Sequence, residues 1–322
     1  MTNANPAPRL ALRIAAIRQE ARDIRAFRLV AVDGGELPPV TPGAHVRVHG
    51  RRGDAAAVGA YSLVNAPADR AHYEIGVLRE GRGGVSDWLH ALAPGATLDV
   101  EPPRNDFALA PQATEHVLIA GGIGITPLLS MASDLAARGV RFSFWVLARS
   151  RDRLAFSGRL ADLPAGCVRV HLSEAAGRLD LAQALQGGEA DRHAYVCGPR
   201  VLIDAALAAA RSAGMPEGRV HIERFDAGAD AARDSGFDVE LRASGLHLRI
   251  EPGETILGRM LDAGMFPSYD CRRGECGTCL TRVLDGVPDH RDSVQTDAEK
   301  AGNAFMTICC SRGASERLVL DL

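Results

Sequence analysis

Five of the seven cysteines fall within the last 52 residues: Cys271, Cys276, Cys279, Cys309 and Cys310. Thiolate is a soft metal ligand, and reduced thiols at fixed intervals point to a metal site. A disulfide framework suits short secreted chains instead. The interval Cys271-x4-Cys276-x2-Cys279, with 29 residues before Cys309, is that of four thiolates around a plant-type 2Fe–2S cluster. Gly274 and Gly277 would let the backbone curl round a cluster with its N–H groups toward the sulfurs. Cys309 and Cys310 compete for the fourth position. The alternative is a structural zinc site, but zinc favours paired C-x2-C knuckles and this segment has one such pair.

Two further constellations suit a dinucleotide. Gly121-Gly122-Ile123-Gly124-Ile125-Thr126-Pro127 follows the apolar run His116–Ala120 and opens a helical stretch that reaches Arg138. Backbone N–H groups and the helix dipole can hold a phosphate at such a turn, and Pro127 needs no N–H in a first helical turn. Cys197-Gly198-Pro199 follows a second buried run, Ala194-Tyr195-Val196. Ligands of open α/β sheets gather at the carboxyl ends of strands, so the two turns are expected at one sheet edge.

The elements that must carry these residues fall into three blocks. Residues 1–112 read as short strands broken by Pro38-Pro39, Pro42-Gly43 and the glycines between 81 and 84, which suggests a small antiparallel β-barrel. Residues 113–226 alternate strand and helix, the pattern of a parallel α/β sheet. Residues 227–236 are small and polar and read as a linker. Residues 237–322 begin with a hairpin, Phe237–Leu241 and Leu246–Ile250, then a helix over 255–263, then the cysteine loop.

Composition excludes several classes of function. With 322 residues, 46% hydrophobic and 24% charged, the chain can build more than one ordinary core. A net charge of −3 supplies no basic field for nucleic acid or an anionic membrane. No apolar run approaches the ~20 residues of a membrane span. MTNANPAPRL contains no signal-peptide core, so a cytoplasmic chain is expected.

The order Tyr61-Ser62-Leu63, Gly121–Pro127, Cys197-Gly198-Pro199, Glu223-Arg224-Phe225 and the C-terminal cysteines carries a resemblance. The chain resembles the phthalate dioxygenase reductase family from about Arg9 to Leu322, with His290-Arg291-Asp292 and Cys309-Cys310-Ser311-Arg312 as further matching detail. That resemblance implies an FMN-binding barrel, an NADH-binding α/β domain and a C-terminal β-grasp ferredoxin domain of plant type. It also implies a separate Rieske-type oxygenase or O-demethylase as electron acceptor. Tyr61 would pack on the isoalloxazine and Ser62 would hydrogen-bond near flavin N5, with Leu63 and Val77 beside them. Gly83, Gly84, Val85 and Ser86 would bring backbone amides to the FMN phosphate. Gly121, Gly122, Ile123, Gly124, Thr126 and Pro127 would hold the nucleotide, with Cys197, Gly198 and Pro199 beside the nicotinamide. Phe225 would lie over the flavin. Cys271, Cys276, Cys279 and Cys309 would ligate the cluster, leaving Cys310 as a packing neighbour.

One departure stands out. The arginine of the flavin motif is replaced by Gly59, and a charge-assisted bond to phosphate is worth about 1.5–3 kcal/mol. Arg79, Arg82 or the Arg51/Arg52 pair are substitutes. Arg149 and Ser150 could meet a 2′-phosphate, whereas Glu174 could take ribose hydroxyls, and the family favours NADH.

The implied reaction needs no general acid or base. NADH delivers two electrons together, a 2Fe–2S cluster accepts one, and a flavin converts between the two. Passage from a cluster near −400 mV to a Rieske centre at about −150 mV or above falls by roughly 250 mV, some four decades of driving force. The chain lacks the paired C-x-H and C-x2-H of a Rieske centre, so it is not itself the oxygenase. Arg272 and Arg273 would face the partner or simply solvent. Two other readings remain: a stand-alone NAD(P)H diaphorase or flavin reductase, and a zinc-stabilised interaction module on a degenerate reductase.

Overall fold

The computed structural model describes residues 9–322 apart from Asp54, Arg82, Ala190, residues 226–233, Asp270, Cys271, Glu275 and Ser293. The chain divides into two compact units, residues 1–223 and 224–322.

The first unit contains two sheets. Strands β1 (Leu10–Ala21), β2 (Ile24–Ala31), β3 (His45–Arg52), β4 (Ala55–Ser62), β5 (Tyr73–Leu78) and β6 (Thr97–Val100) form one antiparallel sheet in the order β4-β3-β6-β1-β2-β5. A bridge between Leu63 and Ile75 joins its two edges, so the sheet closes on itself as a barrel. Inward side chains such as Leu12, Ile14, Phe27, Leu29, Val46 and Val48 fill it. A short helix, α1 (Val85–Ala91), follows the glycine-rich segment.

The second sheet is parallel: β7 (Glu115–Gly121), β8 (Arg141–Ala148), β9 (Val168–Leu172), β10 (Arg192–Cys197) and β11 (Val220–Glu223), in the order β11-β10-β7-β8-β9. Its helices are α2 (Ile125–Ala137), α3 (Ser157–Ala161), α4 (Ser173–Ala176), α5 (Ala182–Leu185) and α6 (Arg200–Ser212). The apolar run on β7 is explained by its central place, since helices cover both faces of such sheets.

Helix α2 is apolar nearly all round, because it lies between the parallel sheet and the barrel. Ser130 on α2 donates to the Asn65 carbonyl at 3.1 Å, and the buried Asn65 side chain in turn accepts the Glu74 N–H at 2.9 Å. The Tyr195 hydroxyl accepts the Ala110 N–H at 2.7 Å, fixing the chain between the two sheets.

The second unit is a mixed five-stranded sheet in the order β13-β12-β18-β14-β16. Its strands are β12 (Phe237–Leu241), β13 (Leu246–Ile250), β14 (Leu280–Asp285), β16 (Phe305–Thr307) and β18 (Arg317–Leu320), while β15 (Pro288–Asp289) and β17 (Arg312–Gly313) pair separately. Helix α7 (Ile256–Asp262), capped by the Thr255 hydroxyl, buries Ile256, Leu257 and Met260 against this sheet. Helix α8 (Asp297–Gly302) carries a capping box from Thr296 and Glu299. The parallel pairing of the first and last strands, β12 and β18, helps to build a core that includes Cys279, Cys309 and Cys310. No described helix is long and apolar enough to cross a membrane.

Candidate redox site

In the barrel, β4 and β5 bring the flavin candidates together. Ser62 and Leu63 are buried at the end of β4, Tyr61 is half-buried beside them, and Val77 is buried on β5. Burial raises the Tyr61 phenol pKa, with Glu80 and Asp87 adding to the effect, so the ring stays neutral. The Ser62 and Ser86 hydroxyls are both buried and, among the described residues, lack hydrogen-bond partners. A buried orphan hydroxyl is costly unless a ligand completes it. These two orphans lie where the flavin ring and its phosphate are expected, so the residues present fit the group.

The phosphate end differs from expectation. The Gly83 N–H, assigned above to phosphate, donates instead to the Asp87 carboxylate at 2.7 Å, and Gly81 N–H does so at 2.9 Å. Gly84 caps α1 without a side chain and has open space at its Cβ position. Arg79 reaches Asp87 at 3.5 Å, whereas Arg51 and Arg52 are exposed at the end of β3. Arg82 lies outside the described residues.

In the parallel sheet the two glycine motifs meet backbone to backbone. Cys197 is in register with Ala120 on the neighbouring strand. A Cβ on Gly124 would stand 2.2 Å from the Cys197 carbonyl oxygen, and one on Gly198 would stand 3.0 Å from the Gly121 Cα. Both positions require glycine for that approach. Gly122 has φ +57° and continues into the 3-10 turn that opens α2. Ile123 lies in that turn, and Pro127 is buried in the first turn of α2. Pro199 caps α6, and Cys197 is fully buried.

Thr126 connects the two sheets. Its hydroxyl donates to the Ile123 carbonyl at 3.0 Å, and its methyl lies 2.7 Å from the Cβ position of Gly76 on β5. Gly76 adjoins Val77, so the nucleotide turn abuts the barrel strand expected to flank the flavin. The sequence reading missed Gly76, whose signal was a lone glycine inside an apolar strand. It also missed Asn65, three residues beyond Ser62.

At the outer edge, Arg149 and Glu174 follow β8 and β9 and pair at 2.9 Å. Ser150 donates to Asp152 at 2.5 Å, which lowers the Asp152 pKa. Phe225 is half-buried two residues past β11, and with Arg224 it falls in the second unit.

In the second unit, Cys279 and Cys309 are buried and Cys276 is exposed, while Cys271 lies outside the described residues. Gly274 and Gly277 have φ +76° and +74°, the left-handed geometry that glycine adopts freely. A Cβ on Gly274 would stand 2.4 Å from the Cys310 sulfur, so that loop is glycine-dependent. Cys310 sulfur also lies 3.1 Å from the Thr307 hydroxyl. Buried Asp292 accepts the Gln295 N–H at 2.8 Å and shapes a turn whose Val294 packs near Gly277. Buried thiols beside a loop wound through left-handed glycines suit a thiolate-bound cluster. Arg272 stacks on Tyr269 at 4.5 Å, and Arg273 is only 8% exposed. Arg273 therefore does not face solvent or a partner as expected, because the loop folds it inward.

An antiparallel flavin-type barrel packed on a parallel dinucleotide sheet, with a C-terminal cysteine-loop domain, defines an electron-transfer oxidoreductase. Residues 239–313 match the family of 2Fe-2S iron-sulfur cluster binding domains. The chain is similar to the vanillate O-demethylase oxidoreductase of Pseudomonas sp. (strain HR199 / DSM 7063), 43% identical over 96% of this chain and 98% of that one. It is 40% identical to the tetrachlorobenzoquinone reductase of Sphingobium chlorophenolicum, over 99% of each chain. The solved structure of phthalate dioxygenase reductase, described as a modular structure for electron transfer from pyridine nucleotides to [2Fe-2S], matches with TM-score 0.78 and 36% identity over 98% of both chains. The chain belongs to the phthalate dioxygenase reductase family, whose members serve as reductase components of oxygenase and demethylase systems.

Proposed function

We propose that this chain takes electrons from NADH through FMN and a 2Fe–2S cluster to a separate Rieske-type oxygenase or O-demethylase in the cytoplasm. The observation that carries the first step is the contact of Thr126, in the nucleotide turn, with Gly76 on the flavin side of the barrel. When bound, flavin supplies the conversion of a two-electron hydride donor into single electrons for the cluster. The chain's own residues bind, orient and exclude water. Residues 1–112 would hold the flavin, 113–226 the nucleotide and 237–322 the cluster, with 227–236 between them.

Ser62 offers its unpartnered hydroxyl to the flavin ring, and Tyr61 covers a ring face. Ser86 and the backbone of Gly84 and Val85 take the phosphate. Gly121–Gly124 and Gly198-Pro199 hold the nucleotide backbone, while buried Thr126 and Cys197 keep water from the nicotinamide. Cys271, Cys276, Cys279 and Cys309 ligate the cluster. The contacts of Cys310 with Thr307 and Gly274 support its role as packing neighbour rather than ligand. NADH is preferred over NADPH because Glu174 pairs with Arg149, the arginine expected to meet a 2′-phosphate.

Anaerobic titration with NADH, followed by visible absorbance, tests this function. Flavin and iron–sulfur bands should bleach together at about three electrons per chain, two for the flavin and one for the cluster. A colourless, sulfide-free protein would overturn it. The relative named tetrachlorobenzoquinone reductase supports a second reading, in which a quinone-like small molecule is the acceptor. Steady-state rates with a purified oxygenase and with quinones separate the two.

A further inference from the structure

The segment that follows β8 leaves the parallel sheet and lands on the barrel. Arg22 N–H donates to the Asp152 carbonyl at 2.9 Å, and Arg153 lies 3.6 Å from Asp23. Arg159 on α3 pairs with buried Glu74 of β5, which Arg18 of β1 also reaches at 2.9 Å. Between these anchors stands Phe156, fully buried, with φ +57° and ψ +30°. A left-handed backbone at a bulky aromatic residue is unfavourable and persists only where its surroundings hold it. The holder is Glu20 on β1, whose carboxylate accepts the Phe156 N–H at 3.1 Å. The ring is thereby turned onto β5, where it lies 3.0 Å from the Cβ position of Gly76, beside the methyl of Thr126.

We infer that Phe156, locked by Glu20, is a positioning residue that sets the spacing between the nucleotide turn and the flavin side of the barrel. The inference rests on the proposed hydride transfer from NADH to flavin. Hydride transfer depends on close approach of donor and acceptor, so slack at this contact slows the step without removing any group that binds NADH. Neither Phe156 nor Glu20 belongs to the residues assigned to flavin or nucleotide.

The test uses full-length, flavin-loaded protein in anaerobic stopped-flow with NADH and its 4-deuterated form. Phe156→Leu and Glu20→Ala should slow flavin bleaching by about tenfold to a hundredfold, with NADH affinity within about twofold of the parent. Glu20→Gln, whose amide oxygen still accepts the Phe156 N–H, should restore most of the rate. The deuterium isotope effect should persist in the slowed variants, showing that hydride transfer itself is the slow step. On flavin-free protein, hydrogen exchange in the 151–160 segment should quicken in Glu20→Ala and not in Glu20→Gln. Unchanged bleaching in Glu20→Ala and Phe156→Leu, or parallel loss of flavin content and NADH affinity, would overturn the positioning role. Failure of the parent protein to bleach would sink the hydride reading itself, and this inference with it.

Discussion

At Gly59 the missing arginine is replaced by space that a neighbour uses. A Cβ there would lie 2.7 Å from the Tyr61 hydroxyl, so the phenol rests against the bare backbone. Restoring the motif by Gly59→Arg should therefore displace Tyr61 and weaken FMN binding rather than tighten it, as an equilibrium titration of flavin-free protein would show. Asp87 is the more promising change, because its carboxylate holds the Gly81 and Gly83 amides and repels a phosphate. Asp87→Asn should tighten FMN about fivefold, since repulsion between two unit charges a few ångströms apart is worth about 1 kcal/mol in high dielectric. Ser62 gives a prediction with opposite signs in two states. Ser62→Ala removes an unpartnered buried hydroxyl from the flavin-free protein, which should melt at the same temperature or higher. The same change should weaken flavin binding by roughly 0.5–1.5 kcal/mol, the net value of one hydrogen bond.

At the scale of elements, strands β7, β10 and β11 carry His116, His193 and His221 around Tyr195. His193 Nδ1 and His221 Nε2 are 2.9 Å apart, and their rings stack at 5.2 Å. Burial lowers the pKa of all three, that of His116 to about 4. The unfolded chain protonates such groups below about 6.5, whereas the folded sheet resists. Stability is therefore fully present above pH 6.5, declines as pH falls from there and levels off near the lowered values, as denaturant melts across that range would show.

In the second unit, Arg312 is only 1% exposed. It contacts Asp234 at 3.3 Å, donates to the Ser235 carbonyl at 3.0 Å, and lies over the Phe237 ring at 5.0 Å. It thus fastens the start of this unit to the strand that follows Cys309. Arg312→Ala leaves Asp234 paired with Arg291 at 2.8 Å but strips the Ser235 and Glu251 carbonyls of their donor, and should cost about 1–3 kcal/mol, read as a lowered melting midpoint of iron–sulfur absorbance.

For the whole molecule, separate units for hydride chemistry and for single-electron delivery mean that one can fail alone. Cys276→Ser should leave NADH-driven flavin bleaching and reduction of ferricyanide nearly intact while abolishing electron delivery to the oxygenase. A rapid-mixing experiment with both acceptors measures this. Equal loss of both activities would show that the cluster unit is needed to form the flavin site.

The cysteine spacing, the two glycine turns and the alternation of strands and helices were legible because each is local: a loop geometry, a phosphate-binding turn, a period of burial. Tyr61, Ser62 and Ser86 were expected by family likeness, and the buried hydroxyls of Ser62 and Ser86 that lack partners among the described residues support that expectation. What tertiary structure alone decided are contacts between residues far apart in the chain. Asp87 took the Gly83 amide expected for phosphate, and Arg273 turned inward although its charge and loop position suggested solvent. Gly76, Thr126, Phe156 and Glu20 meet only because the barrel closes and packs on α2 and α3. The order of the residues determines which chemistry the chain can hold, whereas packing sets the distance over which that chemistry acts.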